Sequence, residues 1–229
     1  GAIVIDVANS HGSWLVDENG KEYLDCFSQF ASQPLGWNHD KLMSRKDELA
    51  AAATHKIANS DMYSKNYCDF VEKFSTLTED FKHYFFISGG ALAVENALKA
   101  AFDWKHQKSG TTQENMDVVH LKEAFHGRSG YTLSLTNNSY NNIKVRDFPK
   151  FNWTRVESPA NHKENVDELE KTSLKETEEA LRKGNVAAIV LETIQGEGGD
   201  NHLNTGYLLS LRALADQYDA LLVFDEVQT

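Results

Sequence analysis

The stretch "FFISGGALAVENALKAAF", residues 85–102, breaks an apolar run on two glycines and then resumes with helical spacing. Val94, Leu98, Ala101 and Phe102 recur three and four residues apart, which predicts one buried face of a helix. No cationic side chain stands at the junction. Gly89 and Gly90 would let a ligand come close to the unpaired N–H groups and positive dipole end of that helix. An anion held by backbone alone is therefore expected there. The pattern is neither the Walker phosphate loop nor the dinucleotide fingerprint, which argues against a nucleotide-binding α/β domain. The two glycines would equally suit an ordinary tight turn, so the stretch by itself leaves both readings open.

Outward from this junction, apolar runs alternate with helix-like segments. "HYFFIS" (83–88), "DVVHL" (117–121), "AAIVLETI" (187–194) and "ALLVFDEV" (220–227) lack polar alternation, as strands buried on both faces do. In 206–219, Leu208, Leu211, Ala215 and Tyr218 fall together at helical spacing. This order predicts an α/β fold, a mostly parallel sheet flanked by helices, with ligands gathered at the carboxyl ends of the strands. Ahead of it, "SWLVDENGKEYLD" predicts a hairpin turning at Asn19-Gly20. Helical regions are expected near 41–54 and around Tyr67 to Thr76, and there is no internal repeat or low-complexity linker.

The bulk composition narrows the class. With 229 residues, 41% hydrophobic and 25% charged, the chain suits a soluble globular protein with a sizeable core. Lys and Arg number 23 against 34 Asp and Glu, a formal net charge of -11 that argues against a nucleic-acid or anionic-membrane surface. No apolar run approaches the roughly 20 residues of a membrane span, and residues 1–6 lack the layout of a secretory signal. Asn137-Asn138-Ser139 and Asn152-Trp153-Thr154 match the glycosylation pattern but, without a signal, read as chance. Cys26 and Cys68 form no metal or disulfide spacing and are expected as buried or partly buried thiols of a reducing, cytoplasmic compartment.

The chemistry should lie at the strand ends. In "EAFHGRSG" (123–130), Phe125 would cover a flat heterocycle and Arg128 would hold a carboxylate in its planar fork. A core Phe, a satisfied His126 and a surface Arg would explain the same residues. In "LETIQGEGGDNH", Glu192 ends a buried strand and Glu197 follows in a Gly-rich loop, which a simple turn with solvated acids also explains. In "LLVFDEVQT", Asp225 and Glu226 close an all-apolar strand. A buried carboxylate demands a cation, whether a metal, an arginine or a protonated ring nitrogen, although a helix N-cap or a surface acid would also fit. No H-E-x-x-H pair, no Walker lysine and no G-x-S-x-G elbow occur. A phosphate at one strand end, a flat ring over an aromatic side chain and a positive nitrogen facing Asp225 together describe pyridoxal 5'-phosphate.

These segments together resemble the class III (ω-amino acid) aminotransferases of PLP fold type I, from "DENGKEYLD" to the last residue. "FDEVQT" and "IQGEGGD" carry the class. "GGALAVENALKAAFDWK", "YDALLVFDEVQT" and "FASQPLGWNH" are similar to its L-lysine 6-aminotransferase (lysine ε-aminotransferase) subgroup. Many members carry a hydroxyl residue and a Glu after the first glycine of the phosphate loop, where this chain has Gly90-Ala91-Leu92. The resemblance implies that residues 1–39 belong to the small domain and 40–229 to an incomplete PLP-binding large domain. It implies that Gly90 and Ala91 bind the cofactor phosphate, Phe125 stacks on its ring with His126 adjacent, and Asp225 binds the ring nitrogen. Gln228 would lie near the phenolic oxygen and the substrate, and Glu192 would support the ring. Arg128 would hold the lysine carboxylate, and Glu197 would be a switch residue paired with an arginine of the C-terminal part. The implied reaction moves the ε-amine of L-lysine to 2-oxoglutarate, giving 2-amino-6-oxohexanoate and glutamate, in a cytoplasmic homodimer with a shared active site. The Schiff-base lysine is expected beyond Thr229, so the chain alone would be inactive. A 4-aminobutyrate or ornithine aminotransferase, or a non-catalytic binding protein on the same fold, is the alternative.

Overall fold

The computed structural model describes residues 2–56, 58–59, 61–138 and 145–229; Ser139 of the first glycosylation pattern lies outside them. The chain forms two compact units, Gly1–Phe85 and Phe86–Thr229.

In the first unit, β1 (Trp14–Val16) and β2 (Glu22–Leu24) pair antiparallel, as the Asn19-Gly20 signal predicts. Asp17 closes the turn by accepting the amides of Asn19 (2.9 Å) and Lys21 (3.0 Å). Gly36 is fixed by packing, because a Cβ there would run into the carbonyl of Gly12, with which Trp37 bridges. The helical regions are α1 (Asp40–Met43), α2 (Lys46–Ala53) and α3 (Lys65–Ser75), none with a buried residue. That open packing corrects the expectation for the thiols: Cys26, just after β2, and Cys68, on α3, are both exposed.

The second unit opens with α4 (Gly90–Ser109), followed by β3 (Asp117–Leu121), the short helix α5 (Thr132–Leu135) and β4 (Arg155–Val156). Then come α6 (Val166–Leu181), β5 (Val186–Leu191), the two-residue strands β6 (Ile194–Gln195) and β7 (Asn201–His202), α7 (Thr205–Gln217) and β8 (Leu221–Phe224). Four strands form one parallel sheet in the order β4-β3-β5-β8. The alternation of strand side chains divides the core between the two faces. Val118 and Val190 meet Val94, Leu98, Ala101 and Phe102 of α4 on one face, as the helical spacing predicts. Val119, Ile189 and Leu191 meet Leu181 of α6 and Tyr207, Leu211 and Ala215 of α7 on the other.

One strand expectation needs correction. Residues 83–87 of "HYFFIS" belong to no strand, and Phe85 is 72% exposed. An apolar run becomes a strand only where another backbone supplies its ladder bonds, and the four-stranded sheet does not include this one. The Gly-rich loop that holds Glu197 is a turn over 196–200, and the two-residue strands β6 and β7 that flank it pair antiparallel.

Leu98 is fully buried between α4 and the sheet. Leu98→Ala should cost about 2–5 kcal/mol of stability. In urea the unfolding midpoint should fall while the slope stays the same; an unmoved midpoint would show that this face is not a packed core.

Candidate active site

The register of the sheet brings the strand ends together. Leu191 pairs with Phe224, so Glu192 and Asp225 leave β5 and β8 at the same level, and Asp225 N still donates to Leu191 O (2.9 Å). The segment after β3 turns back on Glu123, a non-glycine residue at φ 63, and delivers Phe125 to Arg128 to the same place. Gly89, at φ 90, precedes α4, whose N-terminus has no side-chain cap. One cavity of about 300 Å³ is lined by Gly90, Ala91, Phe125, His126, Arg128 and Glu192, together with Asp225 and Gln228. That volume is at the lower end of the range for small-molecule sites. Of the residues singled out in the sequence, Glu197 does not line it. Glu197 stands in the turn between β6 and β7, where its carbonyl accepts from Asn138 Nδ2 (3.0 Å).

The acids at the end of β8 differ in kind. Glu226 is exposed, whereas Asp225 is 8% exposed. Asp225 Oδ2 lies 2.8 Å from His126 Nδ1, and its Oδ1 accepts from Val227 N (3.2 Å). His126 Nε2 is buried and has no partner among the described residues. The carboxylate is thus held in one orientation beside the cavity. Glu192 Oε1 accepts the amide of Phe125 (2.9 Å), which fixes the backbone behind that ring. The guanidinium of Arg128 lies 5.8 Å from the Phe125 ring centroid, within cation–π range.

Several groups that the sequence did not reveal set this geometry. Thr136 Oγ1 accepts from His126 N (2.9 Å) and donates to Gly127 O (2.6 Å). Glu95, on the first turns of α4, accepts from Ser129 Oγ (2.6 Å) and Tyr131 N (2.9 Å), joining the helix to the loop that carries Arg128. The glycines are close-approach positions: a Cβ on Gly90 would lie 2.6 Å from Val227 Cγ2, and one on Gly127 2.5 Å from Ala91 Cβ. Gly127 could have been suspected from "HGR"; single polar residues such as Thr136 carry no sequence signal of their role.

Burial pushes the Glu192 carboxyl up to about 7, with the nearby Asp225 adding to the rise. His126 and the amides of Phe125 and Gly196 pull the other way. Its folded pKa therefore lies above the ordinary 4.5, so folding favours the protonated form. The stabilisation this represents is complete below about pH 4.5 and is lost as the pH rises to about 7. Buried His120 has the opposite slope: burial, then Arg155 and His126, holds it down to about 3, so stability is lost as the pH falls from 6.5 to about 3. The two slopes offset each other where they overlap. In Glu192→Gln, where the amide oxygen can still accept from Phe125, the His120 slope should emerge. The stability difference between parent and variant should fall by about 1.4 kcal/mol per pH unit as the pH rises from 4.5 to about 7. Parallel denaturation curves for the two proteins across this range would contradict the shift.

The arrangement matches known proteins along its whole length. The family profile "Aminotransferase class-III" covers residues 1–229. The chain is 46% identical over 244 residues to an L-lysine-epsilon aminotransferase of Amycolatopsis lactamdurans, covering 99% of this chain and 54% of that protein. It is 33% identical to a 4-aminobutyrate aminotransferase of Mycosarcoma maydis, covering 99% of this chain and 51% of the relative. The structure of the lysine aminotransferase from M. tuberculosis superimposes with a TM-score of 0.91 at 44% identity, covering all of this chain and 56% of the other. The chain thus spans about half the length of the curated relatives it matches. With the parallel sheet, the residues at its strand ends and a match that runs from the first residue to the last, the chain belongs to the class-III aminotransferase family.

Proposed function

We propose that the whole protein transfers the ε-amino group of L-lysine to 2-oxoglutarate with pyridoxal 5'-phosphate, giving 2-amino-6-oxohexanoate and glutamate. The observation that carries this reading is a cavity in which a helix N-terminus with no side-chain cap among the described residues, an aromatic face and a buried carboxylate converge. These fit the cofactor end for end. The amides at Gly90 and Ala91 suit a phosphate, Phe125 a flat ring, and Asp225 a protonated ring nitrogen. The lysine donor is favoured over 4-aminobutyrate by the higher identity to lysine aminotransferases, 46% against 33%. Residues 1–39 are assigned to the small domain and 40–229 to the large one, in a cytoplasmic homodimer acting on amino and 2-oxo acids.

When bound, pyridoxal phosphate supplies an electron-withdrawing ring that accepts the electrons released when the substrate carbon loses its proton. The protein's part is electrostatic. Asp225 accepts the proton-bearing ring nitrogen in a charge-assisted hydrogen bond and keeps it protonated. His126 Nδ1, on the other carboxylate oxygen, holds Asp225 in place for that contact. Phe125 covers one face of the ring and excludes water from it, with Glu192 fixing its backbone. Arg128 holds the carboxylate of lysine at the end remote from the reacting amine, a bidentate contact that orients the chain of the substrate. Gln228 stands by the phenolic oxygen. Glu197, paired with an arginine of the C-terminal part, covers the second carboxylate site when lysine is the substrate and uncovers it for glutamate.

In the full-length protein, Asp225→Ala should keep weak cofactor binding, read by absorbance titration, and lose three or more powers of ten in turnover, roughly one per pKa unit of lost support for the ring proton. Turnover near the parent rate would remove Asp225 from this role. Parallel assays with lysine, 4-aminobutyrate and ornithine identify the donor; the highest kcat/KM is expected for lysine.

A further inference from the structure

A polar cluster outside the cavity ties together two loops that the proposed reaction needs in register. β6 and β7 are only two residues each, and their paired residues Gln195 and Asn201 are both buried. Asn201 Nδ2 is the hub, its two N–H groups shared among Gln195 Oε1 (3.0 Å), Glu123 Oε2 (3.0 Å) and Gly198 O (3.2 Å). Lys163 Nζ meets the same Glu123 oxygen (3.1 Å) and Ser158 O (2.9 Å). Gln195 Nε2 donates to Lys122 O (2.8 Å), and its Oε1 also accepts from Ser158 Oγ (2.8 Å). The contact is steric as well as polar. Gly198 lies so close to Glu123 that a Cβ would run into the Glu123 carbonyl and come within 3.1 Å of Gln195 Cβ. Glu123 itself is held at φ 63, a conformation that a non-glycine residue keeps only when its surroundings enforce it.

We propose that Asn201, with Glu123 and Gly198, is a positioning residue for substrate choice. It locks the β6–β7 turn that carries Glu197 to the segment that delivers Phe125 and Arg128, and so sets how readily the site accepts a dicarboxylate. The proposal rests on the role given to Glu197 above. None of the three residues lines the cavity, so their effect passes through the two loops.

The test compares Asn201→Ala and Gly198→Ala with the parent and with Glu197→Ala in the full-length protein. Single-turnover kcat/KM is measured separately for lysine and for glutamate. Asn201→Ala should shift the lysine-to-glutamate ratio by about tenfold in the direction that Glu197→Ala shifts it, the size expected for a lost buried hydrogen-bond partner. Gly198→Ala, whose Cβ would run into the Glu123 carbonyl, should shift it in the same direction. Hydrogen exchange on the cofactor-free protein gives a second readout. In Asn201→Ala, amides of both 123–127 and 196–200 should exchange about tenfold faster, again the effect of one lost buried hydrogen bond. An unchanged ratio in both variants while Glu197→Ala shifts it overturns the positioning role, even if both melt at lower temperature. Faster exchange confined to one of the two loops overturns the coupling whatever the substrate. If Glu197→Ala also leaves the ratio unmoved, the reading of Glu197 fails and the positioning role falls with it.

Discussion

A carboxylate removed from water needs a partner, and Asp225 sits where β8 runs out of apolar residues. Its backbone completes the last rung to Leu191, and its side chain turns to His126 at 2.8 Å. Since the parallel register places Leu191 beside Phe224, the residue after each strand emerges next to its neighbour. Glu192 and Asp225 are therefore forced close together in a site that water barely reaches. Two full negative charges there are costly, and the upward push on Glu192 relieves part of that cost. The pocket near neutral pH is less negative than its two acids would be in solution, which suits a ligand that carries both a phosphate and a cationic ring.

The opposite wall is fixed from a distance. Leu98 and Ala101, both fully buried, seat α4 on the sheet two to three turns away from its N-terminus. The open amides at Gly90 and Ala91 are therefore placed by hydrophobic packing along the helix as well as by the close approach of Val227 and Gly127. Glu95 then links that helix to Ser129 and Tyr131, and Thr136 links His126 to Gly127. The phosphate end, the ring face and the carboxylate clamp of the proposed site consequently share one frame.

What the sequence made legible follows from how each feature is encoded. Helix α4, the hairpin at Asn19-Gly20 and strands β3, β5 and β8 are written in periodicity and turn chemistry, signals local to each element. Helix α6 carries no such signal, because its buried face includes Ser173 and Thr177, which weaken any apolar stripe; Ser173 instead meets Tyr207 OH and the carbonyl of Glu157. The run at 83–88 looks like a strand and is none, because apolarity cannot tell whether a neighbouring strand is available. Among the site residues, Asp225 stood out because charge at the end of an apolar strand is energetically conspicuous. Thr136 and Glu95 each act through two hydrogen bonds to another segment, and nothing in either segment alone announces them.

The β6–β7 hairpin shows why such hidden polar contacts matter. Strands of two residues offer few backbone bonds to resist a slip, and a slip of one residue would turn every side chain to the other face. A cross-strand pair of apolar side chains would add attraction without direction. The Gln195–Asn201 pair adds direction, because an amide hydrogen bond is made in one register and lost in the next. By extending the same amide to Glu123, the chain converts the register of a small hairpin into the placement of the loop that follows β3. Buried amides left without partners by any shift are costly, so the cluster has one well-satisfied arrangement, and the turn bearing Glu197 inherits it.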